Sequence, residues 1–340
     1  MKRVLALILA LVTVLAFASC GRSGEIEKET GGAPSESTES TKSKTEINVA
    51  VMAGPTGMGA VKLMDDAANG KASADCKFTV ASSPDEVTAS IINGEFQIAC
   101  IPTNLAAVLY NKTSGGIKCP AVNTLGVLYI LTNGEEITSV ADLKGKTVYA
   151  TNAGSTPEFI LDYVLAKNGL DPEKDVDIQF SDADTVSSQL ASGTISIGML
   201  PEPKVTATVV AGKGEVKTAL DMTAEWEKVS GDTTVMQGCI IVNTEFAKNN
   251  KDTVDGFLAD YKASCEYVLN DIESASALCE KYNVIPKAAV AKKAYPGCNI
   301  TYIDGKEMTE KLTAFLQVLY DADAKSVGGN MPDESFYYQK

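Results

Sequence analysis

Hydrogen-bonding groups, more than acid–base groups, are the residues best placed for chemistry in this sequence. Pro55, Thr56, Gly57 and Met58 follow one apolar strand-like run, and Thr103 and Asn104 follow another. Asn152, Gly154, Ser155 and Thr156 follow a third, and Glu202, held between Pro201 and Pro203, follows a fourth. Each group reads as a place where a strand stops and a helix begins. Free N–H groups at a helix start donate to polar or anionic atoms. Thr56, Asn104, Ser155 and Thr156 are equally good helix N-caps. Glu202 suits a helix start through the dipole, and it suits equally well the acceptance of a ligand N–H. Gln237 and Tyr129 stand near the two stretches where the chain is expected to pass between lobes. Tyr129 reads first as core and second as a surface for stacking a ligand.

Absent residue types narrow the chemistry further. The chain has no His, which removes His-based nucleophile systems, imidazole bases and His-ligated metals. Its only arginines are Arg3 and Arg22, so residues 46–340 have no guanidinium fork for carboxylate, sulfonate or phosphate groups. No nucleophile–base pair stands out. No catalytic residue, metal or cofactor is therefore expected, and the chain reads as a binder and not an enzyme. A formal charge of −14 argues against nucleic acid as a partner.

The N-terminus reads as an export signal. Met1-Lys2-Arg3 is basic, Val4–Ala18 is apolar, and Phe17-Ala18-Ser19-Cys20-Gly21 resembles a bacterial lipobox, with Cys20 as the lipidated residue. Residues 20–45 then read as a polar tether, with Ile26 as its only large aliphatic side chain. The expected location is extracytoplasmic, anchored to the outer face of the cell membrane, and periplasm-facing in a Gram-negative cell. Beyond Cys20 there are seven cysteines and no CxxC, so internal pairing cannot use them all. Mostly free thiols are expected, which would suit life without oxygen.

The elements that must position these groups alternate between strand and helix patterns, which argues for α/β layers. Strands are expected at 47–53, 77–81, 96–101 and 125–132. The pattern then restarts about 100 residues later, with strands at 148–151, 177–180 and 195–200. A return strand is expected at 235–242, followed by helices at 251–269, 272–282, 286–294 and 306–323. The simplest assembly has a first lobe from 46–132 plus 235–340 and an inserted second lobe, 133–234. Two crossings join them, near Leu131-Thr132-Asn133 and Met236-Gln237-Gly238. Ligands of open α/β sheets bind beyond the C-terminal strand ends, so the four groups above would face one another across a cleft.

Several runs carry a family resemblance: INVAVMAGPTGMGAVKLM, INGEFQIACIPTNLAAVLY, SVADLKGKTVYATNAGSTPEFILDYVLAKNGLDPEKDV and IGMLPEPKVTATV. Together they resemble the solute-binding proteins of ABC importers, in the nitrate, sulfonate, taurine and thiamine-pyrimidine-precursor (NMT1/THI5-like) group. In that group a segment like Ser139–Val148 opens the second lobe, one like Ile92–Ala99 precedes a binding loop, and a pair like Glu202-Pro203 closes the second lobe's pocket. The resemblance implies a two-lobed, type II periplasmic-binding-protein-like fold that closes on a small molecule. It also implies a membrane permease as partner and a monomer. The missing arginine and the absence of lysine before Lys204 in the four loops favour a neutral heteroaromatic ligand, such as a pyrimidine thiamine precursor. A sulfonate- or nitrate-type anion is the alternative. A receptor feeding a membrane sensor is a further one, and a pyrimidine-precursor synthase is disfavoured by the lack of His.

Overall fold

The structure is a computed structural model that describes residues 44–151, 153–231 and 233–339. The leader, Cys20, the tether up to residue 43, and Asn152 lie outside the described residues. The rest forms one compact unit. Among the described residues no helix is long and apolar enough to cross a membrane.

The described residues hold eleven strands in chain order: β1 (Glu46–Met52), β2 (Asp75–Ala81), β3 (Ile98–Pro102), β4 (Ile117–Leu125), β5 (Leu128–Asn133), β6 (Thr147–Thr151), β7 (Asp177–Ser181), β8 (Ile197–Pro201), β9 (Val216–Asp221), β10 (Met236–Asn243) and β11 (Ile300–Asp304). They form two sheets, ordered β11-β4-β10-β3-β1-β2 and β7-β6-β8-β5-β9. In the first, β1 lies parallel between β2 and β3, and β10 is antiparallel to both β3 and β4. In the second, β6 lies parallel between β7 and β8, and β5 is antiparallel to β8 and β9. Each sheet is thus a parallel trio completed by a strand that has just arrived from the other sheet. Central parallel strands are covered on both faces and therefore read as nearly unbroken apolar runs. Val49, Ala50 and Val51 of β1 are fully buried, as that rule requires.

The doubled pattern in the sequence corresponds to these two trios, but three strands were not expected. The expected strand 125–132 is two: β4 ends at Leu125 in the first sheet, and β5 begins at Leu128 in the second. The chain therefore changes sheet at Gly126-Val127, upstream of the expected 131–133. Pro120 hid β4, because proline cannot donate to a central ladder. Here the ladder with β10 skips a residue between Lys118 and Ala121, and Pro120 sits in that bulge. β9 and β11 are edge strands with polar residues on one face, and their apolar signal is short.

The two passages between sheets run side by side. Leu125 pairs with Met236. A Cβ on Gly126 would lie 2.0 Å from Thr223 Oγ1 and 3.1 Å from Val235 Cβ, so only glycine lets them pass this closely. One apolar cluster holds side chains of both sheets, including Ala50 and Cys239 from the first and Ile130 and Met199 from the second. Trp226, the single tryptophan, is fully buried within it. Its ring lies 4.2 Å from that of Tyr163 on helix Thr156–Lys167 and 5.6 Å from that of Phe315 on helix Gly305–Ala322. Its Nε1 donates to Thr233 Oγ1 at 3.1 Å. A helix that follows the second sheet is in this way stacked against one that follows the first. Trp226→Ala is expected to lower the unfolding free energy by about 3–5 kcal/mol, the range for deleting a buried aromatic. Urea unfolding followed by circular dichroism checks this, and a loss under about 1 kcal/mol would show the ring to be dispensable.

Candidate functional site

β1 ends at Met52, and the chain turns through Gly54, whose φ of 110° is strained for any other residue. The short helix Pro55–Met58 follows, with the Gly57 and Met58 N–H groups both donating to the Gly54 carbonyl. Thr56 is buried, and its carbonyl accepts from the Tyr261 hydroxyl at 3.0 Å. That hydroxyl accepts in turn from Asn123 Nδ2 at 2.8 Å. Gly57 and Met58 turn inward: a Cβ on Gly57 would lie 2.4 Å from the Met52 carbonyl oxygen, and Met58 is fully buried with its sulfur 3.6 Å from Cys298 Sγ. Both therefore support the loop from below, although their sequence position suggested a lining role.

The start of β10 gathers three of the expected residues. Thr103 opens the Thr103–Lys112 helix and donates its hydroxyl to the Met236 carbonyl. Asn104, beside it, is half-buried. Gly238 leaves room for Thr56, since a Cβ there would lie 2.5 Å from Thr56 Cγ2. Between Met236 and Gly238 stands Gln237, whose buried Oε1 has no hydrogen-bond partner among the described residues.

On the second sheet, β6 runs into the loop before the Thr156–Lys167 helix. Gly154 is left-handed at φ 71°, and its N–H donates to the Glu158 carboxylate. The first turn's own acid therefore uses one of the loop donors. Ser155 occupies the N-cap position and is half-buried. Thr156 and Thr151 are buried, and neither Oγ1 has a hydrogen-bond partner among the described residues. Buried polar atoms are nearly always paired, and an unpaired one costs about 1–3 kcal/mol. Thr151, Thr156 and Gln237 therefore mark where the fold holds unused hydrogen-bonding capacity.

Glu202 ends the β8 connection through a cis Glu202–Pro203 peptide. It is 7% exposed, and its carboxylate accepts from the Thr206 N–H (3.1 Å) and hydroxyl (2.9 Å). Burial pushes its carboxyl above the usual range, while the Thr206 bonds pull it back. Tyr129 donates its hydroxyl to the Gly297 carbonyl at 3.0 Å, across to the first sheet's side. Burial raises its phenol, and the charges of Asp221 and Glu202 raise it further. Lys204 is ion-paired with Asp184, so its charge is already engaged. A Cβ on Gly54 would lie 3.8 Å from Pro203 Cδ. The first and fourth expected loops therefore do meet. Among the described residues no cluster of three or more His, Cys, Asp or Glu side chains is arranged for a metal.

Sequence reasoning missed Gly297, Asn299, Thr206 and Thr151. Pro296-Gly297-Cys298-Asn299 falls between the expected helices 286–294 and 306–323, outside every expected loop of the site. A separate groove of about 580 Å³ lies along edge strand β7, lined by Glu158, Asp162, Glu173, Asp175, Asp177 and Phe180. Burial and the neighbouring Glu158 and Glu173 push the Asp162 carboxyl up to about 6.

These features can be set beside known proteins. A family model described as "NMT1/THI5 like" matches residues 121–275, from β4 through both passages between the sheets. YtlA of Bacillus subtilis (strain 168), named as a binding protein, is 28% identical over 187 residues, which is 53% of each chain. The chain thus spans about half the length of that curated relative. An ABC transporter structure from Parabacteroides distasonis superposes with a TM-score of 0.73 at 22% identity, over 87% of this chain and 99% of that one. The periplasmic aliphatic sulphonate binding protein SsuA from Escherichia coli gives 0.70 at 16%, over 87% and 93%. The periplasmic nitrate-binding protein NrtA from Synechocystis PCC 6803 gives 0.59 at 13%, over 84% of each. At such identities the likeness is one of fold, and the NMT1/THI5-like segment sits in the fold of type II periplasmic binding proteins.

Two substitutions test the physical reading of this region. Thr151→Val removes an unpaired buried hydroxyl at constant shape, so stability should hold or rise by about 1 kcal/mol. A loss of more than about 1 kcal/mol in urea unfolding would mean that the hydroxyl is bonded. Asp162 has a raised carboxyl, so its folded form holds a proton more tightly than its unfolded form. Its cost is absent below the unfolded value of 3.8, grows between there and about 6, and is fully present above that. Asp162→Asn should therefore raise the melting temperature at pH 7 and lose that gain by pH 4, whereas an equal gain at both would contradict the burial account.

Proposed function

We propose that this chain is the extracytoplasmic solute-binding component of an ABC importer. It captures a small organic molecule between its two sheets and hands it to a membrane permease without turnover. The observation that carries this reading is the set of buried, unpartnered oxygens of Thr151, Thr156 and Gln237 at the strand ends where the sequence placed a cleft. A ligand that contacts both walls only when they are together favours the shut state. Anchoring through Cys20 would keep the cleft near the permease and raise their effective concentration.

The same atoms favour an uncharged ligand. Gln237 presents a carbonyl, which needs an N–H or O–H donor, and the threonine hydroxyls can donate or accept. No arginine is available in residues 46–340, Lys204 is paired, and Glu202 and Glu158 add negative charge. A neutral heteroaromatic with ring N–H and carbonyl or ring-nitrogen groups, such as a pyrimidine thiamine precursor, fits this balance. The sulphonate and nitrate binding of SsuA and NrtA favours a second reading, an aliphatic sulfonate or nitrate held by helix N-termini.

Thermal-shift titration of the full chain separates the two. Substituted pyrimidines at a hundred times Kd should stabilise the protein by about 2.7 kcal/mol, and Gln237→Ala should abolish the shift. A response to sulfonates or nitrate alone would overturn the neutral-ligand reading, and no response to any of them would leave small-molecule capture without support.

A further inference from the structure

The segment Tyr295–Asn299, which the binding reading does not use, touches both sheets. Its C-terminal end is tied to the first passage between them. Asn299 Nδ2 donates to the Gly126 carbonyl at 2.6 Å, and the Asn299 carbonyl accepts from the Leu125 N–H at 3.0 Å. Asn299 adopts φ 43° to do so, a left-handed conformation that asparagine tolerates better than most residues. Two residues earlier, the segment meets the second sheet. The Gly297 carbonyl takes the Tyr129 hydroxyl, and the Gly297 Cα faces the Glu202 side chain. A Cβ at Gly297 would lie 3.0 Å from Glu202 Oε1, 3.2 Å from Glu202 Cγ and 3.3 Å from Tyr129 Oη. The φ of Gly297 lies outside the left-handed region, so space alone, not backbone strain, keeps a side chain out. Immediately before this segment, helix Ala288–Ala294 packs on helix Lys204–Ala211, which follows Glu202.

We infer that Tyr295–Asn299 is a strap that holds the two sheets in the closed arrangement, with Gly297 as the seat on which Tyr129 and Glu202 rest. Its Asn299 end rides with the passage and stays attached as the lobes move. Its Gly297 end meets a wall that carries Pro203, and Pro203 faces Gly54 across the cleft. Separating the cleft walls therefore breaks the Gly297 contacts and spares those of Asn299. The strap biases the protein toward closure before any ligand arrives, and a ligand needs correspondingly less differential affinity to complete the shift. Cys298, between the two ends, is fully buried in this arrangement and becomes reachable when the seat is vacated.

The test uses the full chain without ligand, so its outcome is independent of whether the importer reading is right. Iodoacetamide labelling is read peptide by peptide, with Cys100, buried in β3, as the control for general loosening, and the radius of gyration is measured by small-angle scattering. Gly297→Ala should speed Cys298 labelling relative to Cys100 by roughly tenfold, as a matching shift toward the open population requires, and should enlarge the radius of gyration. Tyr129→Phe removes the bond without adding bulk and should act in the same direction to a smaller extent, which keeps the inference testable if the alanine variant does not fold. Unchanged Cys298 labelling and size in the foldable variants would overturn the strap. So would labelling of Cys298 and Cys100 that accelerates in step.

Discussion

Everything in this molecule depends on two chain passages that lie against one another. Leu125 pairs with Met236, and Gly126 comes close enough to Thr223 and Val235 that no side chain fits. This is a packing constraint, and it fixes where the two sheets can pivot. Because each passage delivers the antiparallel strand that completes the other sheet, neither sheet is whole without the crossing. The loops that follow β1 and β8 then approach each other, with Gly54 beside Pro203. The stack of Tyr163, Trp226 and Phe315 adds an apolar link between helices belonging to the two halves. A crossing of this kind restricts the relative motion of the halves to a few directions, the condition for hinge-type closure.

The electrostatic character of the gap follows from what the chain lacks. With no His and no Arg beyond residue 22, the only cations available are lysines, and Lys204 is engaged with Asp184. The acids near the loops serve the fold: Glu202 accepts from Thr206 and Glu158 from Gly154. Hydroxyls and one carboxamide are left over. The proposed site would then select by direction and count of hydrogen bonds, penalising a poorly matched ligand through unpaired buried groups more than it rewards charge.

How much of this was legible in the sequence varied with the physical signal. Strands buried on both faces, such as β1, announced themselves as apolar runs, and the loops after them by glycine and proline. Helices with a capping residue or a clear stop fell close to their expected ends, as with Ile272–Lys281. β4 was lost because a bulge, which the sequence does not display, makes Pro120 tolerable inside a sheet. β9 and β11 were lost because edge strands need only one apolar face. Of the expected residues, Thr56, Thr103 and Gln237 were read from punctuation and lie together at the start of β10. Gly297 and Asn299 were not, because their partners are more than 165 positions away and their role is to leave space or to bridge, neither of which has a local pattern. Met58 showed the opposite failure, since a residue in a binding-type loop can still face the core.

The seven thiols beyond Cys20 are all free, six of them buried. Burial, opposed by hydrogen bonds with Tyr261 and Asn123, pushes Cys100 up to about 12 and, with the Tyr295 hydroxyl opposing it, leaves Cys279 at about 11. Thiolate is the form that oxidises and exchanges, so the folded chain is nearly inert toward both. The unfolded chain has no such protection for its eight cysteines. Maturation of this protein is thus a race: collapse must bury the sulfurs before an oxidant joins them. The folded state protects itself chemically, and the vulnerable interval is the one before the first sheet closes.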